Sequence, residues 1–230
     1  MKLVVLFVIF ALTSPVVLGD WSSEVEFGAV VTTGNTEQEN FKLRALTESE
    51  GERMKHRAQI DALRSSEDDT VTAHNFYAFY QVDRKLDERQ SLFARFAYTD
   101  DRFSGFDYQA DVTAGYSRTL YQTDTMELVG DIGLGVRRSE FDTGATDTEF
   151  INRLAGEYTW QLTESSTFRQ LLSTEIGDES TITRSETSLR STVVGALAMK
   201  LALTVKHQSE VPAATEKTDT ETSVTLVYSF

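Results

Sequence analysis

The chain has no cysteine, and only two prolines and three histidines occur among its 230 residues. Without cysteine there is no disulfide scaffold, no thiolate zinc site and no cysteine nucleophile. Basic residues are also scarce, 22 against 36 acidic ones, for a formal net charge of −14. Such a chain has no cationic excess to release counterions from a phosphate backbone, so nucleic acid is not expected as a partner. Beyond the first twenty residues no segment approaches the ~18 consecutive apolar residues that mark a membrane-crossing helix. Phosphate-cradling glycine motifs, zinc-binding helices and nucleophile elbows are missing too. No cofactor, metal site or catalytic residue is expected.

What is present begins with Met1-Lys2, followed by the apolar run Leu3–Leu12 and small residues up to Gly19. A basic start, a short apolar core and a small-residue site describe a secretory signal peptide. The apolar run is short for a spanning helix and is followed by Pro15, which argues against an anchor. Residues 1–19 are therefore expected to be a signal peptide cleaved near Gly19, and residues 20–230 the exported domain.

From there the dominant pattern is alternation of apolar and polar residues, the period of a strand with two different faces. In the last segment Thr222, Val224, Leu226, Tyr228 and Phe230 share one face, opposite Glu221, Ser223, Thr225, Val227 and Ser229. Turn signals divide the chain into twelve strands: 22–33, 39–50, 52–65, 70–86, 89–100, 107–122, 125–140, 148–162, 166–177, 182–197, 200–210 and 218–230. Tight connections fall around Gly51, Asp87-Glu88, Thr123-Asp124, Glu164-Ser165 and Met199, and mostly longer ones at 34–38, 66–69, 101–106, 141–147, 178–181 and 211–217. An even number of strands with short turns at one end and longer loops at the other is the layout of an outer-membrane barrel. Closure also satisfies every backbone polar group in lipid.

A soluble β-sandwich or lipocalin-like barrel would alternate as well. Three features favour the membrane: the export signal, an aromatic final residue Phe230, and aromatics near strand ends. Tyr98, Phe103, Phe106, Tyr108, Phe141 and Phe150 gather at the loop end, and Tyr121, Trp160, Tyr228 and Phe230 at the turn end, as interfacial girdles do. The expected fold is all-β, an antiparallel transmembrane β-barrel of about twelve strands.

Several stretches resemble the YdiY-like family of salt-induced outer membrane proteins, a family of unknown function. They are Thr33-Gly34-Asn35-Thr36, Asp101-Arg102-Phe103-Ser104-Gly105-Phe106, Pro212, Lys217-Thr218-Asp219-Thr220 and the terminal Leu226–Phe230. The resemblance implies location and fold, and any response to salt rests on it alone. It carries over no catalytic residue.

With the apolar face toward lipid, the other face lines a lumen. Eleven basic residues fall there: Lys42, Arg44, Lys55, Arg57, Lys85, Arg95, Arg137, Arg153, Arg169, Arg190 and Lys206. So do eleven acidic ones: Glu24, Glu26, Glu48, Asp61, Asp83, Asp111, Glu127, Asp131, Glu157, Glu175 and Glu221. The lumen is then close to neutral. Arg57, Arg95, Arg153, Asp111, Asp131 and Glu157 are the candidates near mid-height that set pore size and selectivity or form a plug. The acidic excess falls in the long loops, where Asp68, Asp69, Asp101, Asp142 and Asp178 form a rim. Such a rim concentrates cations at the mouth and offers loose binding to divalent cations, without the spacing of a dedicated calcium loop.

His56, His74 and His207 fall on the outward face near strand ends, which leaves no lumenal histidine for a metal. His207 and Ser209, two apart and outward, resemble the His-x-Ser placement of outer membrane phospholipase. No third group is in place to orient the base, so a lipid-acting enzyme is not the favoured reading. Two remain: a narrow charge-lined channel for passive permeation of small ions or solutes, and a closed barrel with a structural or envelope-stress role. Expected partners are outer-membrane lipid and lipopolysaccharide on the outer face. The barrel-assembly machinery is expected to read the C-terminal strand through Tyr228 and Phe230.

Overall fold

The computed structural model describes residues 21–33, 38–67, 70–101, 104–212 and 215–230. The expected signal peptide, Asp68, Asp69, Phe103 and the side chain of His74 lie outside the described residues. Twelve strands follow one another: β1 (Trp21–Thr33), β2 (Gln38–Glu50), β3 (Met54–Glu67), β4 (Thr70–Lys85), β5 (Gln90–Asp101), β6 (Phe106–Gln122), β7 (Met126–Phe141), β8 (Thr146–Thr163), β9 (Ser166–Gly177), β10 (Thr181–Val194), β11 (Leu197–Gln208) and β12 (Thr218–Ser229). Each pairs with its chain neighbours, and β1 pairs with β12, so the sheet closes on itself. The closing seam runs antiparallel from Glu24–Ser229 to Thr33–Thr220. A closed cylinder leaves no open edge, which is what a sheet in hydrocarbon requires.

The alternation of the sequence becomes an inside-out distribution. Phe150 is 78 % exposed and Leu134 68 %, whereas Arg137 and Glu175 are each 1 % exposed. On β5, Arg95, Ala97 and Thr99 are buried while Leu92 and Phe96 are exposed. On β11, Ala198, Lys200 and Ala202 are buried while Met199, Leu201 and Leu203 are exposed. Apolar residues outward and charges inward is the arrangement of a lipid-embedded barrel, the reverse of a soluble one. The shortest strands have 12 residues and β8 has 18, more than the ~9–11 a tilted transmembrane strand needs. Leu134→Arg, near the middle of β7, is therefore expected to cost about 2–4 kcal/mol, read by denaturant unfolding in lipid vesicles.

Two expectations about the connections change. The tight turn before β11 falls at Gly195-Ala196, not Met199, because the outward apolar row of β11 runs on through Met199. Two loop-end connections are also shorter than expected, with β3 running to Glu67 before β4 starts at Thr70, and β7 and β8 joined by residues 142–145, whereas the β11–β12 connection is longer, 209–217. Strand pairing continues past the lipid zone and takes up residues that looked like loop.

Candidate functional site

The inward faces place ionisable side chains from every part of the ring in one interior, and they pair largely with residues on other strands. In the turn-side half, Arg57 of β3 donates from Nε to Glu48 at 2.5 Å and from Nη1 to Glu157 of β8 at 3.1 Å. Arg169 Nη2 lies 2.6 Å from the same Glu157. β3 and β8 stand on nearly opposite sides of the cylinder, so Arg57–Glu157 crosses the lumen. Arg44 of β2 grips Asp61 at 2.5 Å and Glu186 of β10 at 3.0 Å. Lys200 lies 3.0 Å from both Glu186 and Glu26. Arg190 pairs with Glu24. Below them is a cavity of about 230 Å³, lined by Glu24, Glu26, Arg44, Gln59, Arg169 and Arg190, that reaches Glu164 and Ser165 in the β8–β9 turn.

The loop-side half is tighter. Arg95 pairs with Asp111 at 3.0 Å, Arg137 with Glu149 at 2.7 Å, and Arg153 with Glu175 at 2.7 Å. Arg184 of β10 lies 3.1 Å from Glu175. Aromatic rings fill the space between. Arg95 Nη2 donates to the Tyr77 hydroxyl at 2.7 Å, and its guanidinium lies 5.3 Å from the Phe79 ring centre. Arg184 reaches the Tyr77 ring, 6.0 Å away, from half-way round the ring of strands. Cations over aromatic faces are favourable where water is excluded. Phe93 is also inward and 3 % exposed.

At the loop-side mouth, Lys206 of β11 faces Asp101 of β5 across the full width at 3.9 Å. The β5–β6 loop meets the β11–β12 loop there. Gly105, at φ +77°, lies so close to Pro212 that a Cβ would sit 2.7 Å from Pro212 Cγ. Ser104 and Phe106 are buried beneath this contact. The recess between Ser104, Lys206, Gln208 and Val211 is too small for a water molecule. Among the described residues, the turn side holds a vestibule, and at the loop side Lys206–Asp101 and Gly105–Pro212 bring opposite strands and loops together.

Of the expected lumenal candidates, Arg57, Arg95, Arg153, Asp111, Asp131 and Glu157 all face inward. Their partners divide them into two groups. Arg57 and Glu157 belong to the turn-side group, and Arg95, Asp111 and Arg153 to the loop-side group. Asp131 accepts a hydrogen bond from Ser117 at 2.5 Å. Asp142 and Asp178 are exposed on loops. Asp101 is not a rim residue: β5 runs one residue further than expected, so Asp101 keeps the inward parity of Arg95 and Thr99 and accepts from Asn75 at 3.1 Å. Phe106, expected in the outer girdle, is 5 % exposed and packs on Phe141 with ring centres 4.8 Å apart. Glu127, placed in the lumen by parity, is exposed beside the β6–β7 turn. Tyr228 and Phe230 are exposed at the turn end, ring centres 6.1 Å apart. Glu149, Arg184, Glu186 and Lys200 complete the interior network. Parity with Arg153, Arg190 and Lys206 was the signal for them.

His56 stands outward between Trp21 and Tyr80, bonded to the Tyr80 hydroxyl at 2.8 Å. His207 Nδ1 bonds to Thr218 Oγ1 at 2.8 Å, whereas Ser209 Oγ accepts from the backbone N–H of Thr181 at 2.9 Å. The hydroxyl and the imidazole are therefore engaged apart from each other, and nucleophile activation needs them bonded. Among the described residues there is no group of three or more His, Asp or Glu arranged to hold a metal.

Residues 25–230 match the model of a family described as "Protein of unknown function, DUF481". The chain is 29 % identical over 170 residues to "Uncharacterized protein YdiY" of Escherichia coli strain K12, covering 74 % of this chain and 67 % of that protein. Among solved structures, the NanC porin is similar with a TM-score of 0.60 at 9 % identity, covering 89 % of this chain and 98 % of that one. The KdgM porin gives 0.50 at 12 % identity, covering 90 % and 99 %. The translocator domain of the autotransporter NalP from Neisseria meningitidis gives 0.55 at 10 % identity, covering 91 % and 88 %. At these identities the likeness is one of fold.

Proposed function

We propose that this chain, which belongs to the DUF481 family, is an outer-membrane protein whose lumen is a narrow, charge-lined path for small ions or solutes, shut at rest by its outer loops. The observation that carries the reading is the charged wall itself, continuous from the turn-side vestibule to Lys206 and Asp101. Buried ion pairs contribute little net stability, and a well-packed apolar filling of the same volume is often as stable or more so. A barrel that needed only a filled interior has no use for this many charges. An interior that water and ions enter does. Two of the similar structures are named porins, which supports a passive role over a catalytic one.

In this reading export uses the signal peptide cleaved near Gly19, and the tight turns and the vestibule face the periplasm. The outer face meets lipid and lipopolysaccharide. Strand β12, with Tyr228 and Phe230 outward, is the segment offered to the assembly machinery.

The test is conductance of the refolded protein in a planar bilayer, comparing wild type with Gly105→Val. Valine at φ +77° is strained and collides with Pro212, so the variant is expected to part the loops and raise open probability several-fold. A folded variant as silent as wild type would overturn the reading.

The second reading, a closed barrel with a structural or envelope-stress role, is favoured by the pairs that span the lumen, such as Arg57–Glu157. Arg57→Ala separates the two. A channel gains conductance or changes selectivity, whereas a plug loses stability and stays silent.

A further inference from the structure

Glu175 of β9 has a carboxylate 1 % exposed, and guanidinium groups from four strands converge on it. Arg153 of β8 donates to it at 2.7 Å and Arg184 of β10 at 3.1 Å. Arg95 of β5 and Arg137 of β7 each stand 3.9 Å away. The neighbouring carboxylates are already engaged. Asp111 pairs with Arg95 at 3.0 Å. Glu149 pairs with Arg137 at 2.7 Å and also accepts from the backbone N–H of Glu179 at 2.9 Å. Arg153 and Arg184 both bond Glu175 directly, whereas Asp111 and Asp131 act on them only from farther off. Without Glu175, two of the four guanidiniums lose the carboxylate they bond directly.

Two further donors in this wall have no hydrogen-bond partner among the described residues. Arg137 Nη1 is one, and it is the atom 3.9 Å from Glu175 Oε2. Thr113 Oγ1 is the other, on a fully buried residue paired in register with Arg95. Buried donors left unpaired are costly, and convergent planar guanidiniums are the donor set that recognises small oxyanions.

We propose that this cradle is an anion-binding site and that Glu175 is its tethered occupant. A small monoanion of carboxylate-like chemistry takes the same place once the Glu175 side chain is removed or displaced. In a conducting barrel this makes the constriction favour anions, beneath a mouth whose exposed acids favour cations. The consequence for permeation rests on the function proposed above, but the binding itself does not.

The experiment uses the full chain folded in detergent. Glu175→Ala empties the place of the carboxylate, and the probe is sodium formate. The control is the sodium salt of a bulky morpholine sulfonate at equal ionic strength. Formate is expected to raise the melting temperature of the variant saturably, by about 5–10 °C at a hundredfold excess over its dissociation constant. Wild type, with the site filled, is expected to show no such effect. Adding Arg153→Ala to Glu175→Ala is expected to abolish it. If Glu175→Ala folds only when formate is supplied during refolding, that rescue supports the site equally. The proposal is overturned if formate and the bulky salt act alike, or if neither restores a variant that fails to fold.

Glu175→Gln in a bilayer under a salt gradient reads the other half. A reversal potential shifted toward anions supports both statements. A silent barrel that still binds formate as Glu175→Ala sinks permeation and leaves the site intact.

Discussion

Gly28→Val is expected to abolish the folded barrel. Gly28 lies on the lumenal face of β1 between Glu26 and Val30, opposite Thr225 of β12 and Lys42 of β2. A Cβ at this position would sit 2.1 Å from the carbonyl oxygen of Val224 and 2.6 Å from Cα of Thr225. Both are backbone atoms, so no rotamer change relieves the clash. The strands must separate, and β1–β12 is the pair that turns an open sheet into a cylinder. Parting it exposes two rows of backbone donors and acceptors to hydrocarbon, each group costing several kcal/mol. The measurement is the mobility of unheated protein in SDS gels after refolding into detergent, with circular dichroism as a second probe. Loss of the compact band is the expected outcome, and Gly28→Ala, which brings the same Cβ, should lose it as well. A valine variant with wild-type mobility would mean that the seam yields more than these distances allow.

The second large effect is expected at Arg44, whose side chain is 9 % exposed. It bonds both oxygens of Asp61, at 2.5 and 3.3 Å, and both of Glu186, at 3.1 and 3.0 Å. Among the described residues, Arg44→Ala leaves Asp61 with only the amide of Gln59 at 2.8 Å, and Glu186 with only Lys200. Removing one partner of a buried pair costs about 3–5 kcal/mol, because the remaining charge is stranded. Denaturant unfolding in lipid vesicles reads the loss. Arg44→Lys should recover part of it, since a lysine keeps the charge but not the forked geometry. Adding Asp61→Asn to Arg44→Ala should restore some stability by removing one stranded charge. A cost below about 1 kcal/mol would place these groups in the class of solvent-exposed pairs and would indicate free water around Arg44.

Much of this architecture is legible in the residues, because lipid and water impose opposite demands on alternate positions of a strand. Within the membrane span of β5, β11 and β12 the outward row is apolar and carries no charge, while every charged residue falls on the inward row, beside Phe93, Ala97, Ala198, Ala202 and Val227. β4 is harder to read. Phe76 and Tyr80 fall on its outward face while Tyr77 and Phe79 fall on its inward one, so hydrophobicity alone does not separate the two sides. Only the parity of Asp83 and Lys85 does. Parity also fixes a face without fixing a height. Arg57, Arg95 and Arg153 share the inward parity, but which of them stand level depends on how far each strand is staggered round the cylinder. Partners such as Arg57–Glu157 and Arg95–Glu175 are set by that closure and have no local signature. At Asp101 a single residue of strand length decides the face: within β5 its parity points it inward, whereas a loop residue has no parity to read.

The charged contacts across the interior also have a mechanical consequence. Arg57–Glu157 and Lys206–Asp101 join opposite walls at different depths, as spokes join the two sides of a rim. A hollow hoop of strands under lateral pressure from the bilayer flattens by bringing one pair of walls together and letting the perpendicular pair move apart. Spokes resist that second motion in tension. The cross-section of this barrel is therefore held round from within, and its shape depends less on the thickness and tension of the surrounding membrane than that of an empty cylinder with the same number of strands.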